Sequence, residues 1–397
     1  MIRPLVIARP FLMNGSTNGI VERDFFESLP KEIFTPLVIC SNRDKINYDK
    51  LPYIAVHENI LLYNVLSFLG RIGFGDLVYQ PDQCWSAWGK NAIKITKDYL
   101  NEGNFDYLHS ISMTFTNHIV GLNLKRETGL PWIAQFLEPW VDNPFKKYKT
   151  RWGAERFASM ENEIAHSADA ILHTNNAIAD IWIKRYGKDI AKKIHVMPIM
   201  SKFEQPIESR NKNNDKYIIT HIGHFYGLRK AEDFIKSIAI FKDKYPSLTK
   251  NIQVNFIGNM NDNDMNLINQ YNVNEIIKCY GSMSEADSDA FLASSDMLLV
   301  IDPKTEKSLF FPSKLVKYFF AKIPIIGITS KDSVTEAALT ASGHMCFEFK
   351  QHDDIANAIK MQMDQRNGNV TFNLDYYQKF TKTSIIRFYT DIVKSII

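Results

Sequence analysis

Three short segments of the chain combine glycine, serine or a cation at the point where an apolar run ends. They are NGSTNG (Asn14 to Gly19), HIGHFYGLRK (His221 to Lys230) and FFPSKL (Phe310 to Leu315). A strand that passes through such a turn into a helix exposes backbone N–H groups and the positive end of the helix dipole, which suits a diphosphate. Glycine turns also close many βα units for steric reasons alone. The three segments together therefore indicate a phosphate site more strongly than any one of them.

The second and third segments also carry a positive side chain beside the predicted helix start. Arg229 or Lys230 follows the turn at Gly223, and Lys314 follows Ser313, a residue type that caps helices. A guanidinium and an ammonium there would neutralise the charge that develops on a departing nucleoside diphosphate. The alternative is that both are solvated surface charges, which is the more common position of basic residues.

These segments belong to two series of apolar strands that alternate with amphipathic helices, a pattern typical of parallel, doubly wound sheets. The polar segment from Ser201 to Lys216 separates the two series and contains Pro206, so we interpret it as a linker. We therefore predict an α/β protein with one domain at 1–200 and a second at 201–375. A C-terminal helix at 376–397 is expected to pack back toward the first domain.

Composition narrows the possible partners and compartments. With 47 basic and 44 acidic residues among 397, the net charge of +3 gives no reason to expect nucleic acid. No metal site or disulfide framework is expected, and a reducing cytoplasm fits, because the cysteines lack CxxC spacing and nearby His pairs; they are Cys40, Cys84, Cys279 and Cys346. Charged and proline residues interrupt the N-terminal apolar run, which indicates a buried strand rather than a signal peptide. The window from Asn59 to Ile72 is shorter than the roughly 20 residues of a spanning helix.

Longer stretches of the chain resemble glycosyltransferase family four, the retaining GT-B family of bacterial polysaccharide synthesis. In the second half the resemblance lies in HIGHFYGLRKAEDFIKSI, CYGSMSEADSDAFLASSDMLLVID and FFPSKLVKYFFAKIPIIGIT, and PSKL-x-x-Y is its most specific motif. In the first half it lies in SISMTFTNHIVGLNLKRETGLPWIAQFLEPWVDNPF and ENEIAHSADAILHTNNAIADIWIKRYG. The resemblance covers nearly the whole chain and is weakest between about Asn42 and Asn101. It implies two Rossmann-like domains that face each other across a cleft.

The resemblance also implies roles for individual residues. Arg229 and Lys314 would bind the donor diphosphate, with Gly15 and Ser16 closing over it from the other domain. The remaining residues of the donor pocket, near the nucleobase or the phosphates, would be Gly223, Gly258, Tyr280, Gly281, Met283, Ser308 and Ser313. The donor would be a UDP- or GDP-linked sugar that acts as a co-substrate, so no separate cofactor is expected.

One position departs from the family pattern. The family has a glutamate three residues after the PSK lysine, where it accepts hydrogen bonds from the ribose hydroxyls, and this chain has Lys317 there. Lysine has donors and no acceptor. Three possibilities follow: the contact with the ribose is lost, another carboxylate such as Glu306 makes it, or it is altered to suit a different sugar-nucleotide donor. The family's paired glutamate is also replaced, by Leu309.

Two residues of the first half are candidates for catalysis. His118 lies near the start of a predicted helix, where relatives place a histidine facing the cleft; the alternative is a core or capping histidine. Glu138 follows a predicted strand, where relatives carry Asp, and it could orient or deprotonate an acceptor hydroxyl; the alternative is a loop carboxylate that caps a turn. No covalent nucleophile is assigned, because a front-face substitution would retain configuration without one.

A cluster of basic and aromatic residues, NPFKKYKTRW, and the amphipathic segment ENILLYNVLSFLGRIGFG lie in the same domain. They could contact an anionic membrane or a polyprenyl-linked glycan acceptor, which would place a cytoplasmic enzyme at the inner face of the membrane. The alternative is a solvated charge run and an ordinary core helix. For the whole chain, two other functions remain open: a sugar-nucleotide epimerase, or a catalytically silent GT-B-like partner subunit suggested by Lys317.

Overall fold

The computed structural model of the chain describes residues 1–79, 81–146, 148–205, 215–366 and 372–397. Internal contacts divide these residues into unit 1, Met1–Met200 with Lys382–Ile397, and unit 2, Ser201–Thr381. The second unit thus extends to Thr381 rather than to 375. Most of the predicted linker falls at 206–214, outside the described residues.

Unit 1 is built on a parallel sheet whose residues are mostly buried, because helices cover both faces of such a sheet. Its described strands are β1 (Pro4–Ile7), β2 (Leu37–Ser41), β3 (Tyr53–Val56), β4 (Tyr107–Ile111), β5 (Trp132–Phe136), β6 (Ala170–His173) and β7 (Ile194–Val196). Their spatial order is β3-β2-β1-β4-β5-β6-β7. The chain therefore reverses direction across the sheet beside β1, as in a doubly wound fold.

Helices connect these strands, and several begin at a residue whose side chain accepts a hydrogen bond from the first turn. The described helices of this part are α1 (Thr17–Ser28), α2 (Ile60–Leu69), α3 (Gly75–Val78), α4 (Lys90–Glu102), α5 (Thr116–Thr128), α6 (Arg151–Ser167) and α7 (Asn176–Tyr186). The capping residues are Ser16 for α1, Asn59 for α2, Thr150 for α6 and Asn175 for α7. Their oxygens satisfy N–H groups that have no partner inside the helix.

The apolar segment around α2 differs from what the sequence predicted. A π-helical stretch, Gly70–Phe74, joins α2 to α3, so that the helical run Ile60–Val78 has the length and hydropathy of a membrane span. Only 6% of its most apolar window is buried. The expectation of a shorter run was wrong, because the chain continues as a helix on both sides of Gly73, whose φ of 110° kinks the run without ending it. The core-helix alternative is also wrong for this segment.

Unit 2 contains a second parallel sheet. Its described strands are β8 (Tyr217–Ile222), β9 (Ile252–Ile257), β10 (Ile277–Gly281), β11 (Met297–Ile301), β12 (Ile325–Thr329) and β13 (Met345–Glu348). Their order is β10-β9-β8-β11-β12-β13. The described helices are α8 (Glu232–Lys244), α9 (Asp262–Gln270), α10 (Glu285–Ala293), α11 (Lys314–Phe320), α12 (Val334–Ala341), α13 (His352–Asp364) and α14 (Leu374–Gln378).

The C-terminal residues form two helices rather than the single helix that was predicted at 376–397. After α14 the chain turns at 379–381, and α15 (Lys382–Ile396) belongs to unit 1. Tyr389 of α15 is fully buried, and its hydroxyl lies 2.7 Å from the hydroxyl of Tyr107 and 2.7 Å from Nδ1 of His109. This polar contact inside an apolar cluster attaches the last helix to the strand β4.

Candidate functional site

The candidate site lies at the carboxyl ends of β8 and β11, in the middle of the sheet of unit 2. The strand β8 has β9 on one side and β11 on the other, so the connections after β8 and after β11 leave in opposite directions. The crevice at such a reversal is where open α/β sheets bind ligands. The turn at Gly223 follows β8, and Asp302 follows β11 directly.

Lys314 places its amine directly against the turn at Gly223. Its Nζ lies 3.2 Å from Nε2 of the fully buried His221, and a Cβ added at Gly223 would stand 2.4 Å from the same Nζ. Glycine at 223 leaves room for this amine, and its φ of 141° is a conformation that residues with a side chain rarely adopt. Burial, and then the positive charge of Arg229, lower the pKa of Lys314 well below its usual value.

Arg229 comes to the same sheet edge from the β8 side. Its Nε donates to the carbonyl oxygen of Ile301 at 3.1 Å, which holds the guanidinium at the end of β11. The next residue, Asp302, is fully buried, and its carboxylate accepts a hydrogen bond from Thr329 at 2.7 Å. Burial raises the pKa of Asp302, while neighbouring hydroxyls and the charge of Arg229 lower it. The two cations of the sequence hypothesis thus act on the same buried carboxylate and on each other.

Three glycines continue the site along the ends of β8, β9 and β10. The N–H of Gly223 donates to Ile257 at 2.7 Å, and the N–H of Gly258 donates to Gly281 at 2.7 Å. A Cβ at Gly258, whose φ is 124°, would lie 2.5 Å from the carbonyl oxygen of Gly223. The ends of β8 and β9 therefore approach each other more closely than a larger residue would allow. Backbone groups rather than side chains form this edge of the sheet.

The predicted nucleobase residues flank this edge. Tyr280 at the end of β10 is 43% exposed, and its ring contacts Phe291 of α10 at a centroid distance of 4.7 Å. Gly281 has a φ of 67°, and Met283 is partly buried in the turn that follows. An exposed aromatic ring held from behind by a second ring is suited to contact a planar base.

Lys317 faces carboxylates rather than solvent. Its Nζ forms an ion pair with Asp289 and lies 3.6 Å from Glu285, both on α10. Glu285 also pairs with Lys202 at 3.3 Å. The carboxylates beside Lys317 thus belong to α10, whereas Glu306, the carboxylate suggested from the sequence, is exposed in the segment after β11.

The serines near Lys314 have different environments. Ser308 is fully buried, and its N–H donates to Ser330 at 3.0 Å. Ser313 does not cap α11, because it already has helical φ and ψ angles and its side chain makes no capping hydrogen bond. The turn starts one residue earlier, where the N–H of Leu315 donates to Pro312 at 2.9 Å. The capping role predicted for Ser313 is wrong, since a capping residue has extended angles.

His118 is a core residue of unit 1. It is fully buried on α5, Ser110 lies 2.8 Å from its Nδ1, and its ring packs 4.1 Å from the ring of Phe136. Its Nε2 has no hydrogen-bond partner in the described part of the chain. Burial lowers the pKa of His118 well below its usual value, so the ring is neutral. These contacts favour the structural alternative over a surface-facing catalytic histidine.

The other candidates of unit 1 lie in loops at strand ends or helix starts. Glu138 is partly buried two residues after β5 ends. Burial lowers the pKa of the nearby Lys146 to about 8, and the charges of Asp82, Glu161 and Glu138 oppose this change. Gly15 has a φ of 69°, and Ser16 accepts from Gly19 at 3.1 Å as the cap of α1. No group of three or more His, Cys, Asp or Glu is arranged to hold a metal ion within the described ranges.

Residues 202–379 match a family described as "Glycosyl transferases group 1". The matched range covers nearly all of the unit that carries this site. This match supports a place in the glycosyltransferase superfamily. No curated protein matches the chain.

The chain is similar in fold to several solved structures, three of which follow. Anabaena HepE in complex with UDP is 11% identical, with a TM-score of 0.68 and 100% of each chain covered. A glycosyltransferase from Rickettsia africae is 14% identical, with a TM-score of 0.64, covering 100% of this chain and 98% of the other. The lipopolysaccharide outer core galactosyltransferase WaaB is 15% identical, with a TM-score of 0.62 and 100% of each chain covered. At these identities the likeness shows the fold, which is GT-B as the sequence resemblance implied.

Within this glycosyltransferase fold, sequence reasoning missed four residues that support the site: His221, Asp302, Asp289 and Glu285. The first two lie inside segments that were recognised, since HIGHFYGLRK begins with His221 and Asp302 directly follows the strand MLLVI. A buried polar residue at a strand end was the available signal. The pairing of Lys317 with α10 had no sequence signal, because 28 positions separate Lys317 from Asp289.

Proposed function

We propose that this chain is a retaining glycosyltransferase that transfers a sugar from a nucleoside-diphosphate donor to a hydroxyl of a glycan or lipid-linked glycan in bacterial surface polysaccharide synthesis. One observation carries the proposal: Lys314 and Arg229 lie at the switch point of the sheet in unit 2, within electrostatic range of each other. Burial, and then the positive charge of Arg229, lower the pKa of Lys314, so the second of these causes is repulsion between the two cations. A diphosphate between them would relieve that repulsion.

The proposed reaction breaks the bond between C1 of the donor sugar and the β-phosphate oxygen, and forms a bond from C1 to the acceptor oxygen on the same face. The acceptor's proton goes to the departing phosphate oxygen, so that a nucleoside diphosphate leaves. Lys314 and Arg229 stabilise the charge that develops on this oxygen. Because these side chains supply the positive charge, the proposed step requires no divalent metal, and we expect transfer to persist in the presence of EDTA.

The donor is proposed to carry uridine or guanosine. HepE, which has the same fold, is described in complex with UDP and in a second structure with UDP-glucose. Uridine donors are therefore the first to test. Tyr280 and Met283 would contact the base, and the backbone groups at Gly223, Gly258 and Gly281 would contact the rest of the nucleotide.

The acceptor side rests on the sequence resemblance. Glu138 is proposed to orient the acceptor hydroxyl, and Gly15 and Ser16 to contact the donor phosphates. His118 stays a prediction of the resemblance that its burial disfavours. A capsule or lipopolysaccharide precursor on a polyprenyl lipid is the proposed acceptor, at the cytoplasmic face of the membrane. WaaB is itself named as a lipopolysaccharide outer core galactosyltransferase.

A panel of UDP- and GDP-linked sugars tests the proposal. We expect one donor to raise the melting temperature of the protein and to release its nucleoside diphosphate only when an acceptor glycan is present. Conversion of the donor sugar without any acceptor would instead identify an epimerase. If no nucleotide or nucleotide sugar changes the melting temperature, the chain is a silent partner subunit and the proposal is wrong.

A further inference from the structure

An exposed apolar stripe runs along the helical segment Ile60–Val78 of unit 1. Leu61, Val65, Phe68 and Ile72 follow one another at helical spacing and are 76%, 47%, 59% and 53% exposed. Further along the same segment, Phe74 and Leu77 are 50% and 60% exposed; Ile60, at its start, is 48% exposed. Contiguous exposure of this kind is uncommon on proteins that stay in water and marks a surface that meets a partner or a membrane.

The opposite side of this segment is fastened to unit 1. The carboxylate of Asp76 is 7% exposed and accepts hydrogen bonds from the N–H groups of Lys149 and Thr150 at 2.9 and 2.7 Å. The hydroxyl of Thr150 donates to the same oxygen at 2.7 Å. The guanidinium of Arg43 stacks on the ring of Tyr63 at 4.4 Å.

These attachments determine whether the segment could span a bilayer or lie along its surface. Crossing a bilayer would strip Asp76 of its three donors and place the carboxylate in hydrocarbon, which is strongly unfavourable. The φ of 110° at Gly73 also interrupts the regular helix. The segment can therefore lie along a surface with its stripe outward, although its length and hydropathy alone would allow it to span.

Cations and an aromatic side chain surround the stripe. Arg71 and Lys149 are exposed, and Nζ of Lys149 lies 2.4 Å from where a Cβ at Gly73 would stand. Gly70, Gly73, Phe145 and Lys149 line one cavity of about 270 Å³, so the segment lies beside the loop that carries Phe145 and Lys149. Trp152, at the start of α6, is 51% exposed.

The acidic groups near these cations are few, and each has a hydrogen-bond or ion-pair partner. Asp82, which lines the same cavity, accepts hydrogen bonds from the N–H and the hydroxyl of Thr116 at 3.1 and 2.6 Å. The described residues at 60–79 and 145–156 contain two carboxylates, Asp76 and Glu155. Asp76 is buried, and Glu155 pairs with Arg151, whose side chain is 92% exposed. The surface around the stripe therefore has a net positive charge, which complements a negative partner.

We propose that Ile60–Val78, together with Trp152 and the cations Arg71, Lys149 and Arg151, docks the chain onto an anionic lipid bilayer. The stripe would enter the boundary between headgroups and acyl chains, Trp152 would lie at the headgroup level, and the cations would contact lipid phosphates. This docking surface extends the proposed function. It rests on that function only in taking the acceptor to be lipid-linked. Docking itself requires no glycosyl transfer.

Co-sedimentation with vesicles tests the apolar stripe. The full chain is expected to bind vesicles of phosphatidylcholine and phosphatidylglycerol in equal molar parts, and to bind phosphatidylcholine alone at least tenfold more weakly. The double variant Leu61→Ser, Phe68→Ser should bind the mixed vesicles at least tenfold more weakly, because two exposed apolar side chains are lost. The matched control is Met265→Ser, Met361→Ser, which removes apolar side chains that are 41% and 45% exposed in unit 2, and it should bind like the wild type.

The cations are tested by charge reversal. Arg71→Glu, Lys149→Glu should weaken binding to the mixed vesicles about tenfold or more at low salt. Lys250→Glu, Lys331→Glu, which reverses two exposed cations of unit 2, should bind like the wild type. Raising the salt concentration should weaken binding of the wild type and of this control by the same factor.

The fluorescence of Trp152 reports how deeply this surface enters the bilayer. Of the six tryptophans, Trp88, Trp132, Trp140 and Trp182 are fully buried. Fluorescence of the wild type should shift to shorter wavelength on adding mixed vesicles, and Trp152→Phe should remove most of that shift while vesicle binding persists.

Two results would overturn the docking surface. One is vesicle binding that Leu61→Ser, Phe68→Ser leaves unchanged. The other is concentration-dependent self-association that this double variant abolishes, without any vesicle binding, which would assign the stripe to a second copy of the chain. A thermal melt with UDP separates failure of the docking surface from failure of the proposed function. Because the proposed nucleotide site lies on unit 2, UDP should still raise the melting temperature of these unit 1 variants.

Discussion

Nζ of Lys314 donates to Nε2 of His221 across 3.2 Å, and the other ring nitrogen of His221 donates to the carbonyl of Leu299 at 2.9 Å. This second hydrogen bond assigns the proton of the neutral imidazole to Nδ1, which leaves Nε2 as an acceptor. Burial, and then the charge of Lys314, lower the pKa of His221 well below its usual value. His221 is therefore a neutral support that fixes the direction of the lysine.

Nucleotide binding should take up a proton at Lys314. Burial and the charge of Arg229 lower the pKa of Lys314 in the ligand-free protein, and a diphosphate beside it would raise that pKa again. Calorimetric titrations with UDP in buffers of different ionisation enthalpy should show proton uptake by the wild type. Lys314→Met should show less uptake, and equal uptake by the two proteins would contradict this prediction.

The same lowered pKa gives the ligand-free protein a defined dependence on pH. Between the lowered pKa of Lys314 and the usual lysine value of about 10.4, the unfolded chain holds a proton that the folded chain lacks. The free energy of unfolding of the wild type, relative to Lys314→Met, should therefore rise with pH through that interval. Urea denaturation of both proteins at several pH values measures this difference.

Gly223→Ala should impair both folding and nucleotide binding. The new Cβ would meet the Lys314 amine, and the φ of 141° is strained for alanine, which together should cost about 1–3 kcal/mol in the free energy of unfolding. Gly129→Ala is the control, because Gly129 has a φ of 71° with open space around it. Urea denaturation should show a loss of about 1–2 kcal/mol for the control, with UDP binding retained. UDP binding by Gly223→Ala as tight as that of the wild type would contradict a part for this turn in holding the nucleotide.

Asp289 is expected to accept hydrogen bonds from the ribose in place of the glutamate that Lys317 replaces. Asp289→Asn should weaken UDP binding about tenfold, since a charged hydrogen bond contributes about 1.5–3 kcal/mol, and should affect 2′-deoxy-UDP much less. Asp287→Asn, a substitution of an exposed neighbour on α10, is the control. If Asp289→Asn leaves the ratio of the two affinities unchanged, Asp289 has no part in holding the ribose.

Tyr389→Phe should destabilise unit 1. Burial lowers the pKa of His109 to about 3, so its ring is neutral; it donates to Gln135 at 2.9 Å and accepts from Tyr389. Removing the hydroxyl leaves Nδ1 of His109 and the hydroxyl of Tyr107 each without this buried partner, at roughly 1–3 kcal/mol per group. Thermal or urea denaturation should show this loss, whereas Tyr99→Phe, at a 40% exposed position, should change stability by less than about 0.5 kcal/mol.

Strands and phosphate turns were predictable from local sequence for a physical reason. Strands of a parallel sheet are buried on both faces and appear as apolar runs, as in β11. The cations Arg229 and Lys314 follow strand-end turns, so neighbouring sequence also indicated their position. Lys317 was different, because its partners on α10 come from another part of unit 2 and only the packing of two helices brings them together.

In unit 1, too, contacts between residues far apart in the sequence could not be predicted from local sequence. The family resemblance implied that His118 faces a cleft, but Ser110 and Phe136 enclose its ring. Arg9 and Glu58, both nearly fully buried, form a bidentate ion pair at 2.6 and 3.0 Å that no sequence pattern indicated. Residues 49 positions apart meet there because the ends of β1 and β3 lie at one edge of the sheet. Contacts of this kind depend on topology, which local patterns do not specify.

Calorimetric titration of UDP into the wild type, Lys314→Met, Arg229→Met and the control Lys230→Met tests the phosphate site most directly. We expect the wild type and the control to bind equally well. Each of the other variants should bind about 10- to 100-fold more weakly, because it loses a charged hydrogen bond worth about 1.5–3 kcal/mol. If Lys314→Met and Arg229→Met both bind UDP as tightly as the wild type, these two cations do not hold the leaving diphosphate.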